Sequence, residues 1–235
     1  MPLSRRSLLT KFGAGATLLA GCVRGDTAGG ATETPGAPPD GPVANAPLPD
    51  APDEARYQTV GASAPVVTYF SNPKCPFCAE FAVGSERVLP LATLVEEYVA
   101  SGTVQFRHRG VAYTTDGEPF LGPDAPRAVR AGLAVWEIDP DAYWRYHEYL
   151  AANQPPESKR WATTDRLVAF ADGAGVDDTE AVRAAVEAER FGDRLDATTT
   201  AFADVDADGT PTVVVDGTPY SPFEPAKLRD ALDAL

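Results

Sequence analysis

Val66-Val67-Thr68-Tyr69-Phe70, Ser71-Asn72-Pro73-Lys74, Cys75-Pro76-Phe77-Cys78 and Ala79-Glu80-Phe81-Ala82-Val83 follow one another without interruption. The first five residues are β-branched or aromatic and read as a buried strand, which Ser71-Asn72-Pro73 ends. A helix starts directly after it. Cys75 falls where an N-cap would sit and Pro76 at the first helical position, where a missing N–H is no loss. A thiol so placed faces unpaired backbone N–H groups and the positive end of the helix dipole, which favour its thiolate, the form that attacks disulfides. Cys78 lies three residues on, close to one helical turn away, so the two sulfurs are spaced to close a small disulfide and reopen it.

Other readings of the two cysteines are half of a zinc site, an inert structural disulfide, or chance spacing. Zinc normally takes four ligands, and with Cys22 assigned below, only His108 and His147 remain to complete the set. Their spacing matches no finger or ribbon pattern, and no metal ligand is assigned. The strand-to-helix junction favours redox chemistry.

Met1 to Gly21 reads as a targeting segment. Ser4-Arg5-Arg6-Ser7-Leu8-Leu9 resembles the twin-arginine export signal, and the apolar run Phe12 to Ala20 is too short to span a bilayer. Leu19-Ala20-Gly21-Cys22 resembles a lipobox, in which cleavage leaves Cys22 to be lipidated. The expected location is therefore extracytoplasmic, anchored by lipid to the outer face of the cell membrane. One lipid group alone anchors weakly.

The formal charge is −14, and loss of Arg5, Arg6 and Lys11 with the signal leaves 17 basic against 34 acidic residues. Lys74, Lys159 and Lys227 are the lysines that remain. Such an acidic, lysine-poor chain resembles extremely halophilic proteins, whose repulsion is screened by molar salt with a Debye length of about 3 Å. Nucleic acid and anionic lipid surfaces are disfavoured as partners on the same ground.

Residues 22–55 are rich in Ala, Gly, Pro, Thr and Asp and read as a flexible tether. The folded domain is expected over 56–235, long enough for one core. Tyr57 to Val60 is a candidate edge strand and Val66 to Phe70 the central one. Apolar Phe77, Phe81, Val88, Leu91, Leu94, Val95 and Tyr98 predict one helix from Pro76 to about Ala100, kinked at Pro90. Thr103 to Arg109 alternates as a second strand, which closes a right-handed βαβ unit. A helical section at about 124–204 follows, opened by caps at Asp124, Asp139, Thr164 and Asp177 or Asp178. Tyr143, Trp144, Tyr146 and Tyr149 read as core, and His108 and His147 as packing residues.

Thr212 to Val215 is a strand entered through Pro211, Asp216-Gly217 a hairpin turn, and Pro225 the start of a last amphipathic helix. Asp204-x-Asp206-x-Asp208-Gly209 copies half of an EF-hand loop. Val215 stands where the bidentate Glu belongs, so it reads as an acidic loop.

In this order the chain resembles the DsbA-like thiol–disulfide oxidoreductases of the thioredoxin superfamily, in the form of a haloarchaeal-type, twin-arginine-exported lipoprotein. The resemblance rests on Cys75-Pro76-Phe77-Cys78, Gly209-Thr210-Pro211-Thr212, and Trp144-Arg145-Tyr146-His147-Glu148-Tyr149-Leu150 with Asn153-Gln154. It implies an α/β thioredoxin-like fold, a central mixed β-sheet flanked by helices, with a helical insertion. Cys75 would be the exposed nucleophile and Cys78 the buried resolving thiol, with Lys74, Pro76 and Phe77 as neighbours. Thr210 and Pro211 would form a cis-proline loop that holds a substrate strand. The redox-active disulfide serves in place of a cofactor. Phe77 stands where strongly oxidising members carry His, and Lys74 is taken as exposed and screened, so the redox direction stays open. The expected function is exchange of disulfides with exported cysteine-containing proteins, recharged by a membrane redox partner. The alternatives are a reductase for apocytochromes or copper-site proteins, and a non-catalytic metal-binding or scaffold module.

Overall fold

A computed structural model describes residues 37–62 and 65–235. The targeting segment, Cys22 and the first part of the tether lie outside the described residues.

Strand β2, Val66–Ser71, sits at the centre of a five-stranded mixed sheet ordered β1-β3-β2-β4-β5. Its run of β-branched and aromatic residues suits a position with neighbours on both sides. It pairs in parallel with β3, Gln105–Gly110, and antiparallel with β4, Thr212–Val215; Tyr69 stands between His108 and Val213. At the edges, β1, Thr59–Val60, pairs with β3, and β5, Thr218–Tyr220, pairs with β4. Asp216 and Gly217 take φ of 47° and 77°, the two positive values that a tight hairpin turn needs.

The first helix departs from expectation. Instead of one kinked helix from Pro76 to Ala100, α1 covers Pro76–Val83 and α2 Leu91–Leu94, which runs on into a π-helical turn, Val95–Val99. Gly84, with φ 86°, ends α1 in a conformation that side chains disfavour. Pro90 is itself extended, with ψ 149°, so the chain re-enters helix only at Leu91. Glu80 closes the break by accepting from Ser85 Oγ at 2.5 Å and Arg87 Nε at 3.0 Å. The expected apolar face is buried except for Phe77, which is 53% exposed.

Between β3 and β4 the chain forms α3, Ala125–Ile138, α4, Pro140–Ala152, α5, Thr164–Gly173, α6, Thr179–Glu187, and α7, Gly192–Asp204. Asp139, Thr163 and Asp178 cap α4, α5 and α6 through their side chains. Asp124 makes no side-chain cap on α3. Tyr143, Trp144, Tyr146 and Tyr149 are core residues, joined by Trp136 and Phe81. The last helix, α8, is Pro225–Asp233.

The ordered domain begins earlier than Arg56. Val43 is fully buried in the core, Gly61 N–H donates to Pro47 O at 2.6 Å, and Trp136 Nε1 donates to Ala55 O at 2.9 Å. Val43 and Ala46 in the core, Leu48 packed against it and a few hydrogen bonds hold this stretch, so its Pro-rich composition did not betray it. Among the described residues no helix is long and apolar enough to cross a membrane.

Candidate active site

The loop before α1 is fastened residue by residue. Asn72 Nδ2 donates to Val111 O at 2.7 Å and Phe120 O at 3.1 Å, while its Oδ1 accepts from Lys74 N at 2.7 Å. Gln154, two residues past the end of α4, donates to Lys74 O at 2.7 Å. Lys74 was expected on the surface. It is instead 2% exposed, and its Nζ donates to Asp124 Oδ1 at 2.5 Å. Asp124 Oδ2 accepts from Ala162 N at 2.9 Å, which explains why this residue does not cap α3. A buried lysine needs such a partner, and the side chain reaches inward to find it.

Cys75 follows as the N-cap of α1, with extended backbone, and Pro76 takes the first helical position. Its Sγ lies 3.3 Å from Thr210 O, in the loop before β4 where the Thr210–Pro211 peptide bond is cis. The expectation of an exposed Cys75 is not met: it is 4% exposed, against 5% for Cys78. The Thr210–Pro211 loop covers it, and the two thiols differ in their surroundings more than in their access. The Cys78 thiol, then the backbone N–H groups of Cys78 and Phe77 together with Thr210, outweigh burial and bring the Cys75 pKa down to about 6. Burial, reinforced by the facing Cys75 sulfur, pushes the Cys78 thiol up. Of the two, Cys75 is the thiol whose pKa lies below neutrality.

Phe77 stands at the mouth, edge-on to Phe223 with ring centroids 5.7 Å apart. An open groove of about 340 Å³ runs past Phe77, Thr210, Pro211, Tyr220 and Phe223. His108 is buried and His147 partly buried, with their rings 5.2 Å apart. Ser71 Oγ and Tyr143 OH each approach a His108 ring nitrogen at 2.6 Å, and burial keeps both imidazoles neutral, His147 with a pKa of about 4. Among the described residues no group of three or more His, Cys, Asp or Glu is gathered as for a metal ion. Sequence reasoning named Asn72, Asp124 and Gln154 but gave none of them a place in the site. The Asn-Pro pair signalled a turn, but nothing local ties Lys74 to a partner fifty residues away.

A family model described as thioredoxin matches residues 59–234. The chain belongs to the thioredoxin family. Its similarities within that family are to DsbA-like proteins. It is 27% identical over 153 residues to disulfide bond formation protein D of Bacillus subtilis, covering 65% of this chain and 64% of the relative. A probable disulfide bond formation protein D of Bacillus cereus is 33% identical over 108 residues, 46% of this chain and 44% of the relative. The chain thus spans less than two thirds of the length of either. Among solved structures, oxidised BdbD of Bacillus subtilis superposes with a TM-score of 0.63 at 21% identity, covering 80% of this chain and 97% of that one. DsbA of Chlamydia trachomatis gives 0.62 at 19% identity, with 78% and 94% covered. These likenesses carry the thioredoxin-like fold, with its helical block between β3 and β4.

Proposed function

We propose that this thioredoxin-family chain is a thiol–disulfide oxidoreductase acting on exported proteins through Cys75 and Cys78. The observation that carries the reading is the split between the two thiols. Cys75 sits at the N-terminus of α1 against Thr210 O, where its pKa falls to about 6, and Cys78 sits one turn on inside the helix, where burial pushes its thiol up. Disulfide exchange needs that asymmetry, with one sulfur to attack or be attacked and one to leave or resolve. The relatives' names as disulfide bond formation proteins support the same class of chemistry. Thr210, whose carbonyl meets Cys75 Sγ, and Pro211 line the open groove, and we assign an extended client segment to it. The test is turnover of the full chain with a reduced two-cysteine peptide and with insulin. Peptide oxidation supports the proposal, and absence of exchange with either substrate overturns it.

Redox direction turns on Phe77. Stabilising the reduced, thiolate-containing form makes a pair more oxidising, and phenylalanine offers neither charge nor a strong donor. Lys74 does not substitute for it, because Asp124 neutralises its charge. Phe77→His is expected to lower the Cys75 pKa and raise the reduction potential, by about 30 mV for each pKa unit, equivalent to ~1.4 kcal/mol. The potential and the pH dependence of Cys75 alkylation measure it. Weaker binding of unfolded clients with both values unchanged would make Phe77 a docking residue, as its edge-on contact with Phe223 also permits.

We place the protein outside the cytoplasm, tethered through a lipid on Cys22, with a membrane protein as its source of oxidising equivalents. Cys22→Ser is expected to release it from membranes while leaving the thiol titration of Cys75 and Cys78 unchanged. Membrane retention of that variant after verified cleavage would defeat the anchor.

A further inference from the structure

The groove beside the redox pair carries charge of one sign. Phe77, Tyr220 and Phe223 give it aromatic walls, Asp206, Asp208 and Glu224 give it carboxylates, and no Lys, Arg or His lines it. Glu224 is engaged by Lys227. Asp206 and Asp208 are exposed and meet no cation among the described residues. Lys159 and Arg160 belong to a separate hollow, lined also by Lys74 and Glu157.

Chain connectivity sets the reach of these carboxylates. Thr210 O lies 3.3 Å from Cys75 Sγ, and Asp208 comes two residues before Thr210, a backbone span of at most about 7 Å. A client cysteine joined to Cys75 therefore stands beside Thr210. In an extended client, side chains two residues apart point the same way, so the residue two places from that cysteine comes beside the Asp206–Asp208 loop.

One wall of the groove already holds a guanidinium from its outer side. The Arg87 guanidinium carbon lies 5.6 Å from the centre of the Phe223 ring, and Glu80 pairs with the same group. Within the groove, Phe77 meets Phe223 edge-on and leaves half of its own surface free, next to carboxylates without a partner. An aromatic face beside a carboxylate suits arginine above other side chains, because its planar group stacks, donates in pairs and is weakly hydrated.

We propose that the groove selects client segments carrying an arginine about two residues from the reacting cysteine, held between the carboxylates of Asp206 and Asp208 and the free face of Phe77. This selectivity rests on the disulfide-exchange reading above and names the client class that reading leaves open. Asp206 and Asp208 act on the approach of the client and take no part in the exchange between sulfurs. The acidic loop that copies half of a calcium site thereby gains a use of its own.

The test is single-turnover oxidation of reduced two-cysteine peptides by the full chain. The peptides differ only at the positions two residues to either side of each cysteine, which hold arginine, glutamine or glutamate. The arginine peptide is expected to form its mixed disulfide at least about fivefold faster than the glutamine peptide, with the glutamate peptide slower still. Asp206→Asn with Asp208→Asn is expected to bring the arginine-to-glutamine ratio below about twofold. Asparagine keeps the shape of the side chain and tolerates the φ of 52° at position 206. Asp53→Asn with Glu54→Gln removes the same charge from an exposed turn before β1, at the far edge of the sheet from β5, and should keep the ratio. Equal rates for arginine and glutamine, a ratio that survives the groove variant, or an equal fall in the control overturns the proposal. Equilibrium binding of peptides with serine for cysteine repeats the comparison without exchange. Arginine-selective binding with no oxidation of any peptide fells the exchange reading and leaves the selectivity of the groove standing, whereas oxidation without selectivity fells the selectivity alone.

Discussion

Cys78→Ala is expected to accumulate mixed disulfides with client proteins, and Cys75→Ala to accumulate none and to lose exchange by at least about a thousandfold, as removal of a nucleophile does. The reasoning is that only Cys75 is ionised near neutrality, so it alone forms the first bond, and only Cys78 is positioned to break it. The Cys78 thiol is also the largest support of the Cys75 thiolate. The Cys75 pKa should therefore rise above about 6 in Cys78→Ala. Trapping should then need a higher pH than wild-type exchange. Non-reducing electrophoresis of client mixtures and alkylation rates against pH measure both effects. Equal trapping by the two variants would reverse or abolish the assigned roles.

Asp124→Ala is expected to destabilise the fold by about 3–5 kcal/mol, because it strands the Lys74 ammonium in the interior without its partner. At about 2–4 °C per kcal/mol for a domain of this size, the melting temperature should fall on the order of 10 °C. The double variant Lys74→Met with Asp124→Leu should recover most of that loss, since an apolar pair of similar volume removes the buried charges together. Burial opposes ionisation of Asp124, but Lys74 and the Ala162 N–H outweigh it and hold the carboxyl below its ordinary value. A depressed carboxyl stabilises the fold above its unfolded pKa, near 3.8, and that contribution disappears as pH falls through the lower folded value. The deficit of Asp124→Ala should accordingly shrink below about pH 4. Because the pair is buried, the deficit at neutral pH should change little with salt, unlike that of a surface bridge. Denaturant titrations of the three variants at two pH values decide the matter, and a stable Asp124→Ala would show that the pair contributes nothing.

Local chemistry made much of this protein legible. The strand, the Asn-Pro break and the Cys75-Pro76 helix start are contiguous signals, and the Asp216-Gly217 turn needs no distant partner to form. The cap at Asp139 read correctly for the same reason, Asp178 is the cap of the two candidates at α6, and at α5 the cap is Thr163, one residue before the expected Thr164. What the sequence hid is what partners across the fold decide. Lys74 looks like a solvated surface residue until Asp124 is brought beside it. Asp124 looks like a helix cap until its oxygens are claimed by Lys74 and Ala162. Val43 is one apolar residue in a Pro-rich stretch, and only the core it meets gives it weight. The break at Gly84 was visible as a glycine, but the strong apolar spacing from Phe81 to Tyr98 suggested a continuous helix across it. Cys75 was expected to be exposed because nothing near it in sequence covers it; the cover comes from Thr210.

That last contact joins residues 135 positions apart. Strand β2 likewise meets its neighbour β4 only through Tyr69↔Val213 and adjoining pairs. A chain still being synthesised therefore carries both thiols for most of its elongation without the loop that shields them. Closing so long a separation is slow compared with forming helices. The reactive pair therefore gains its full surroundings only once the segment around Thr210 has been added.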